Sequence, residues 1–182
     1  MNDIIHQFYQ FFDHPFFIIV GGIFALAAAA GLLVTFFFWI LGITPLLWRL
    51  GLGRWTRKIA IAADNTAYSN LETDLIDSGI FRKSNISQIS NNSLTKIKNH
   101  DLILVNYRSF EEEEIKTMLS YKKSSAGMIF YYQDFDPASG EKVPDNIAKL
   151  IGSKENTTIV NFRGRLLNDI VTTLITTSYE KR

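Results

Sequence analysis

The sequence predicts an α/β protein in two parts: an N-terminal transmembrane helix, then a doubly wound five-stranded parallel sheet (order 2-1-3-4-5) with helices on both faces. Three observations lead there. The first is a run of 33 residues, Phe16–Trp48, without Asp, Glu, Lys or Arg. The second is a change of pattern from Lys58 onward, where short apolar β-type runs alternate five times with stretches of helical periodicity. The third is that those apolar runs are continuous, as expected of parallel strands covered on both faces.

The apolar run fits one membrane crossing. As a helix it would extend about 50 Å, against a hydrocarbon core of roughly 30 Å, and a hairpin of two spans does not fit. A cleaved signal peptide would carry a positive leader, yet Met1–Pro15 holds Asp3 and Asp13 and no Lys or Arg. All 19 basic residues lie at or after Arg49, with Arg49, Arg54, Arg57 and Lys58 close behind the run. The positive-inside rule then puts the N-terminus outside and the C-terminal domain in the cytoplasm of an inner membrane. Trp39, Trp48 and Trp55 mark the same interface. Pro45 predicts a kink, with Leu46–Leu52 along the inner surface.

The expected organisation is therefore an interfacial segment 1–15, with Asp3–Phe12 helical or disordered, a span 16–48, a basic linker 49–57 and an α/β domain 58–182. Within the span, Gly21, Ala25 and Ala29 form a small-xxx-small ladder, a face for helix–helix packing in a homo-oligomer.

Composition narrows the chemistry. There are no cysteines, which excludes disulfides, thiolate metal sites and cysteine nucleophiles. Only three histidines are present and no metal site is expected. A net charge of +1 gives no basic field for nucleic acid. No cofactor is expected.

The elements follow in order. Lys58–Ala63 reads as the first strand and Tyr68–Ser78 as a helix closed by Gly79. Ser84–Ile89 is the second strand, and Asn92–Asn99 a short helix. Leu102–Asn106 is the clearest buried strand; Phe110–Lys122 is a helix that opens on Glu111–Glu114, favoured at the positive end of its dipole. Gly127–Tyr132 is strand four, Asp145–Ile151 a short helix after a Pro- and Gly-marked loop, Thr157–Phe162 strand five and Arg165–Tyr179 the last helix. This is the flavodoxin-like order.

Ligands of such sheets bind beyond the carboxyl ends of the strands. Those ends carry Asp64, Asn65 and Thr66; Asn106, Tyr107, Arg108 and Ser109; Tyr132, Gln133 and Asp134; and Asn161 and Arg163. From them, Asp64, Asn65, Asn106, Arg108, Gln133, Asn161, Arg163 and Arg165 are the candidate contacts for a ligand or partner. Arg163 and Arg165 flank Gly164 where a helix begins, a place that attracts phosphate or an acidic partner.

Three families share this strand–helix pattern over Lys58–Tyr179. A receiver domain would carry an acidic cluster after strand one, an aspartate ending strand three and a lysine after strand five. Here stand Asp64 alone, Asn106 and Arg163, which argues against phosphorelay. A flavodoxin would cradle a flavin phosphate in the loop at Asp64–Tyr68, which has one threonine, no glycine and a repelling carboxylate. A TIR-like dinucleotide hydrolase would place a glutamate on the helix after strand three, where Glu111–Glu114 lie, but its Ser and Trp-Cys features are missing.

The plan as a whole, a short anchor joined to a small Rossmann-like module, is similar to membrane effectors of bacterial antiphage defence systems, including those tied to retrons and cyclic-nucleotide signalling. That resemblance is one of architecture. It implies a cytoplasmic domain that senses a protein partner or nucleotide, and an oligomeric anchor that damages the membrane. The alternatives are a tethered TIR-like hydrolase and a structural membrane adaptor.

Overall fold

The computed structural model describes residues 14–48, 56–132 and 143–177. The chain divides into two units, Met1–Leu47 and Trp48–Arg182. The first is helix α1, Pro15–Ile40. Pro15 takes the first helical position, where a missing N–H costs nothing, and His14 Nδ1 accepts from the Phe16 N–H at 3.3 Å. At 26 residues α1 is about 39 Å long, enough to cross a bilayer, and none of its residues is buried. Thr35 keeps its hydroxyl satisfied on the Gly31 carbonyl at 2.8 Å.

The span is shorter than the 16–48 expected. α1 stops at Leu41–Gly42, where Gly42 adopts φ 73° and its N–H returns to the Trp39 carbonyl at 3.0 Å. A glycine in this left-handed position is the usual helix stop. Helix resumes over residues 43–48, so Pro45 sits in a first turn, where its ring is tolerated, rather than at a mid-helix kink. The expectations for Asp3–Phe12 and for residues 49–55 lie outside the described residues.

The second unit is the parallel sheet, with strands β1 (Ile59–Ala62), β2 (Ile86–Ile89), β3 (Leu102–Asn106), β4 (Gly127–Tyr131) and β5 (Thr157–Val160). They lie in the order β2-β1-β3-β4-β5, all parallel, with β1 matched to β2 over Ile59↔Ile86 to Ala62↔Ile89 and to β3 over Ile59↔Leu102 to Ala62↔Val105. The doubly wound arrangement read from the sequence is the one observed.

Strand alternation sorts the core into two layers. Ile59, Ile61, Leu102, Leu104 and Ile129 face α2 (Asn65–Asp77) and α5 (Arg163–Thr176), meeting Leu71, Leu75, Leu166, Ile170 and Leu174. Ala60, Ala62, Ile103, Val105, Met128 and Phe130 face the other side, where α3 (Glu112–Tyr121) and α4 (Asp145–Gly152) bring Ile115, Met118, Ile147 and Ile151. Each fully buried Ile, Leu, Val, Met or Phe side chain among them contributes about 1.5–3 kcal/mol of transfer free energy. With both layers present, every residue of β1, β3 and β4 is buried.

Two local readings are refined by the structure. The short helix expected over Asn92–Asn99 is present over Asn91–Asn99 in 3-10 form, with a break at Ser93 (φ −131°); Ser93 Oγ donates to the Ser90 carbonyl and accepts from the Ser90 N–H. Short hydroxyl side chains that bond nearby backbone compete with the α-helical ladder in this way. Second, Arg57 is not part of a solvated basic linker. It is 1% exposed, and its guanidinium donates to Thr177 Oγ1 at 2.7 Å and the Thr177 carbonyl at 2.9 Å, fastening the start of β1 to the end of α5. A cation there also suits the negative end of that helix.

Candidate functional site

The carboxyl ends of β1 and β3 meet through Ser109. Asp64 closes the N-terminus of α2 by accepting from the Thr66 and Ala67 N–H groups, each at 2.9 Å. Its second oxygen accepts from Ser109 Oγ at 2.8 Å, while that hydroxyl accepts from the Asp64 N–H (3.2 Å) and from Asn106 Nδ2 (2.9 Å). One donor and two acceptor directions are all a hydroxyl has, so Ser109 is fully used. These N–H and O–H donors, that of Ala67 first and Ser109 next, hold the Asp64 carboxyl below its ordinary value of 3.8. The trio caps α2 and ties the end of β1 to the turn after β3.

Asn106 is 6% exposed, and its Oδ1 has no hydrogen-bond partner among the described residues. Such an acceptor costs free energy until a donor arrives. Asn65 is tied sideways, accepting from Gln88 Nε2 at 3.1 Å, while Gln88 also donates to the Ala63 carbonyl at 3.2 Å.

A second group forms after β3 and β4. The rings of Tyr107 and Tyr132 lie 5.4 Å apart, and the Arg108 guanidinium stands 5.1 Å over the Tyr132 ring. Burial, then the Glu112 carboxylate, pushes the Tyr107 phenol above its ordinary range. An arginine on an aromatic face is a platform on which a planar ligand can stack.

The arginines of the last loop divide. Arg163 is the first residue of α5, and its Nε donates to Asp74 Oδ2 at 2.9 Å while Nη2 pairs with Asp74 Oδ1. This two-pronged pair engages Nε and Nη2 of the guanidinium at the turn around Gly164. Arg165 is exposed in the same turn, and Asn161 is half-buried. Gln133 and Asp134 lie outside the described residues.

Three of the four glutamates have partners near the start of the helix. Glu111 and Glu114 form a reciprocal capping box at the start of α3, with Glu114 Oε2 accepting from the Glu111 N–H at 2.8 Å, and Glu113 pairs with Lys116. Among the described residues, no three His, Asp or Glu side chains gather as a metal site would need. Sequence reasoning placed Asp64 and Asn106 at one end of the sheet but missed that Ser109 joins them; the Asn-x-x-Ser spacing around a turn was the available signal. It had no means to pair Arg163 with Asp74, 89 residues away.

No protein-family model, curated protein or solved structure matches this chain.

Proposed function

We propose that the protein is a single-pass inner-membrane protein, N-terminus outside, whose cytoplasmic α/β domain binds a partner or nucleotide and whose output runs through association of membrane helices. The observation that carries the anchoring is α1 itself: 26 residues with no charge and no buried side chain, an apolar surface for which lipid is the matching solvent. The charge asymmetry of the sequence supports the orientation. Binding rather than catalysis is supported by the way Asp64, Ser109, Glu111 and Glu114 are committed to caps and cross-links. The Arg108–Tyr132 platform is where a ligand with a flat ring would dock.

In keeping with the architectural resemblance, the output is damage to the membrane when assemblies rearrange, as in an antiphage effector. A Cβ added at Gly21 meets nothing within 4 Å, so that side of α1 has room for a larger side chain to stand between neighbouring helices. Gly21→Leu with Ala25→Leu is therefore expected to reduce crosslinked oligomers in native membranes, and growth arrest on overexpression, at unchanged membrane abundance. Wild-type crosslinking by this variant would refute assembly through that face; full toxicity without oligomers would refute the output. A reporter active only in the periplasm, fused after Arg182, is expected to be silent, and activity there would refute the orientation.

A further inference from the structure

We propose that the open edge of the sheet at β5 is an interface with a second copy of this chain, the two β5 strands pairing antiparallel into one continuous sheet. The edge is separate from α1 and from the Arg108–Tyr132 platform, so it adds an interface to the reading above.

β5 ends the strand order and is bonded on one side, to β4. The Asn156 and Val160 carbonyls accept from the Met128 and Tyr132 N–H groups, each at 2.9 Å. Successive residues of a strand turn their backbone groups to opposite sides. Asn156, Thr158 and Val160 therefore face β4, while Thr157 and Ile159 turn their N–H and C=O outward. Among the described residues no hydrogen bond reaches those outward groups.

Edge strands that stay single are guarded by Lys, Pro or a bulge. This one is not. Residues 156–162 read NTTIVNF, without a charge or a proline, and the pairing with β4 runs unbroken from Thr157 to Val160. Phe162, just beyond, is 59% exposed, the one large apolar side chain after Trp48 that stands in water among the described residues.

The strand is complementary to itself. With Ile159 on a two-fold axis, it exchanges both backbone bonds with Ile159 of the second copy, and Thr157 does so with Asn161 of the second copy. Thr158 then stands across from Val160 and Phe162 across from Asn156, so β-branched side chains meet in pairs and the exposed ring gains cover. Charge selects the same direction. A parallel copy would lay Arg163 and Arg165 on their own counterparts, whereas the antiparallel one sets them beside Lys154 and Glu155, which sum to zero. Copies held in one bilayer, on the anchoring proposed above, also meet at a higher effective concentration than a soluble strand does.

The chain has no cysteine, so a single one reports position without background. The full chain carrying Gly21→Leu and Ala25→Leu, which takes the membrane-helix face out of the measurement, is purified in maltoside. Ile159→Cys is expected to form a disulfide dimer on mild oxidation, because at the axis the two Cα atoms stand about 5.5 Å apart, inside the roughly 4.4–6.8 Å that a disulfide spans. Lys98→Cys, exposed beside β2 at the other end of the strand order, is expected to crosslink at least about tenfold less, since Cα atoms more than about 7 Å apart are not bridged. Sedimentation separates pairing from folding. Ile159→Lys and Ile159→Glu each set like charges on the axis, and each alone is expected to associate at least about tenfold more weakly. Mixed together they bring opposite charges face to face and are expected to recover the dimer. No disulfide at Ile159→Cys, equal crosslinking at Lys98→Cys, or a mixture that stays monomeric would overturn the interface. So would Ile159→Cys that, oxidised in native membranes, joins only a chain of different mass, which would assign the edge to a foreign protein.

Discussion

Gly127 offers the sharpest test of how the domain is packed. It opens β4, and a Cβ added there would lie 2.1 Å from Thr173 Cγ2 and 3.1 Å from Leu102 Cδ1. Carbon atoms in contact settle at about 3.5–4.0 Å, so the threonine methyl must retreat by roughly 1.5 Å. Little can yield. Thr173 is β-branched and restricted in a helix, and α5 is pinned on either side by the buried Ile170 and Leu174. Overpacking of this kind costs about 1–3 kcal/mol, and the depth of this overlap places Gly127→Ala near the upper figure. For a domain of this size that is a fall in Tm of about 10 °C. Thr173→Ser removes the offending methyl. The double variant is expected within about 1 kcal/mol of wild type, a coupling of about 2 kcal/mol between the sites. Thermal unfolding of the full chain in maltoside, followed by circular dichroism, measures all four proteins. A Gly127→Ala protein as stable as wild type, or one that Thr173→Ser does not rescue, would refute the seating of α5 on β4.

Other expectations follow from single contacts. Asp64→Ala removes the cap of α2 and the link to Ser109, and is expected to cost about 1–2 kcal/mol in chemical unfolding at pH 7. Because the folded carboxyl titrates below 3.8, its contribution is present above the unfolded value and is lost as pH falls through the folded one; the gap between wild type and Asp64→Ala is therefore expected to close under acid. Asp74→Ala frees an Arg163 that is 68% exposed, and is expected to change stability by less than about 1 kcal/mol while making that guanidinium available to anions. Replacing Glu111–Glu114 together by Gln is expected to leave cellular activity largely intact; dinucleotide turnover by wild type that this folded variant loses would restore the hydrolase reading.

What the sequence disclosed, and what it withheld, divides along the range of the interactions. Leu102–Asn106 was legible to the residue because five consecutive side chains are all buried, and a strand covered on both faces is the short element that buries every side chain in turn. The sheet order followed from chain order and crossover rules that hold for any such sheet. The stop of α1 at Gly42 was less legible, since proline announces a break more loudly than glycine does. Arg57 was misread because a cation near a membrane is ordinarily solvated; its burial depends on Thr177, 120 residues further on. Asn106 was placed correctly by strand position alone, whereas its unmet Oδ1 emerges only once Ser109 has folded back onto the amide. Residues that act through distant partners leave no local trace.

Where the tether enters has a mechanical consequence. The first strand of the domain in sequence is β1, which lies inside the sheet with β2 on one side and β3 on the other, four residue pairs in register with each. A pull on residues before Ile59 acts along the strand, so the hydrogen bonds on both flanks are loaded in shear and must give way together. Had the tether fed an edge strand and pulled across it, the bonds would open one at a time, like a zipper. The Arg57 clasp on Thr177 adds a second point of attachment, so the load is shared with α5 before it reaches the strand. The domain is thus built to stay folded under a pull on its N-terminal end.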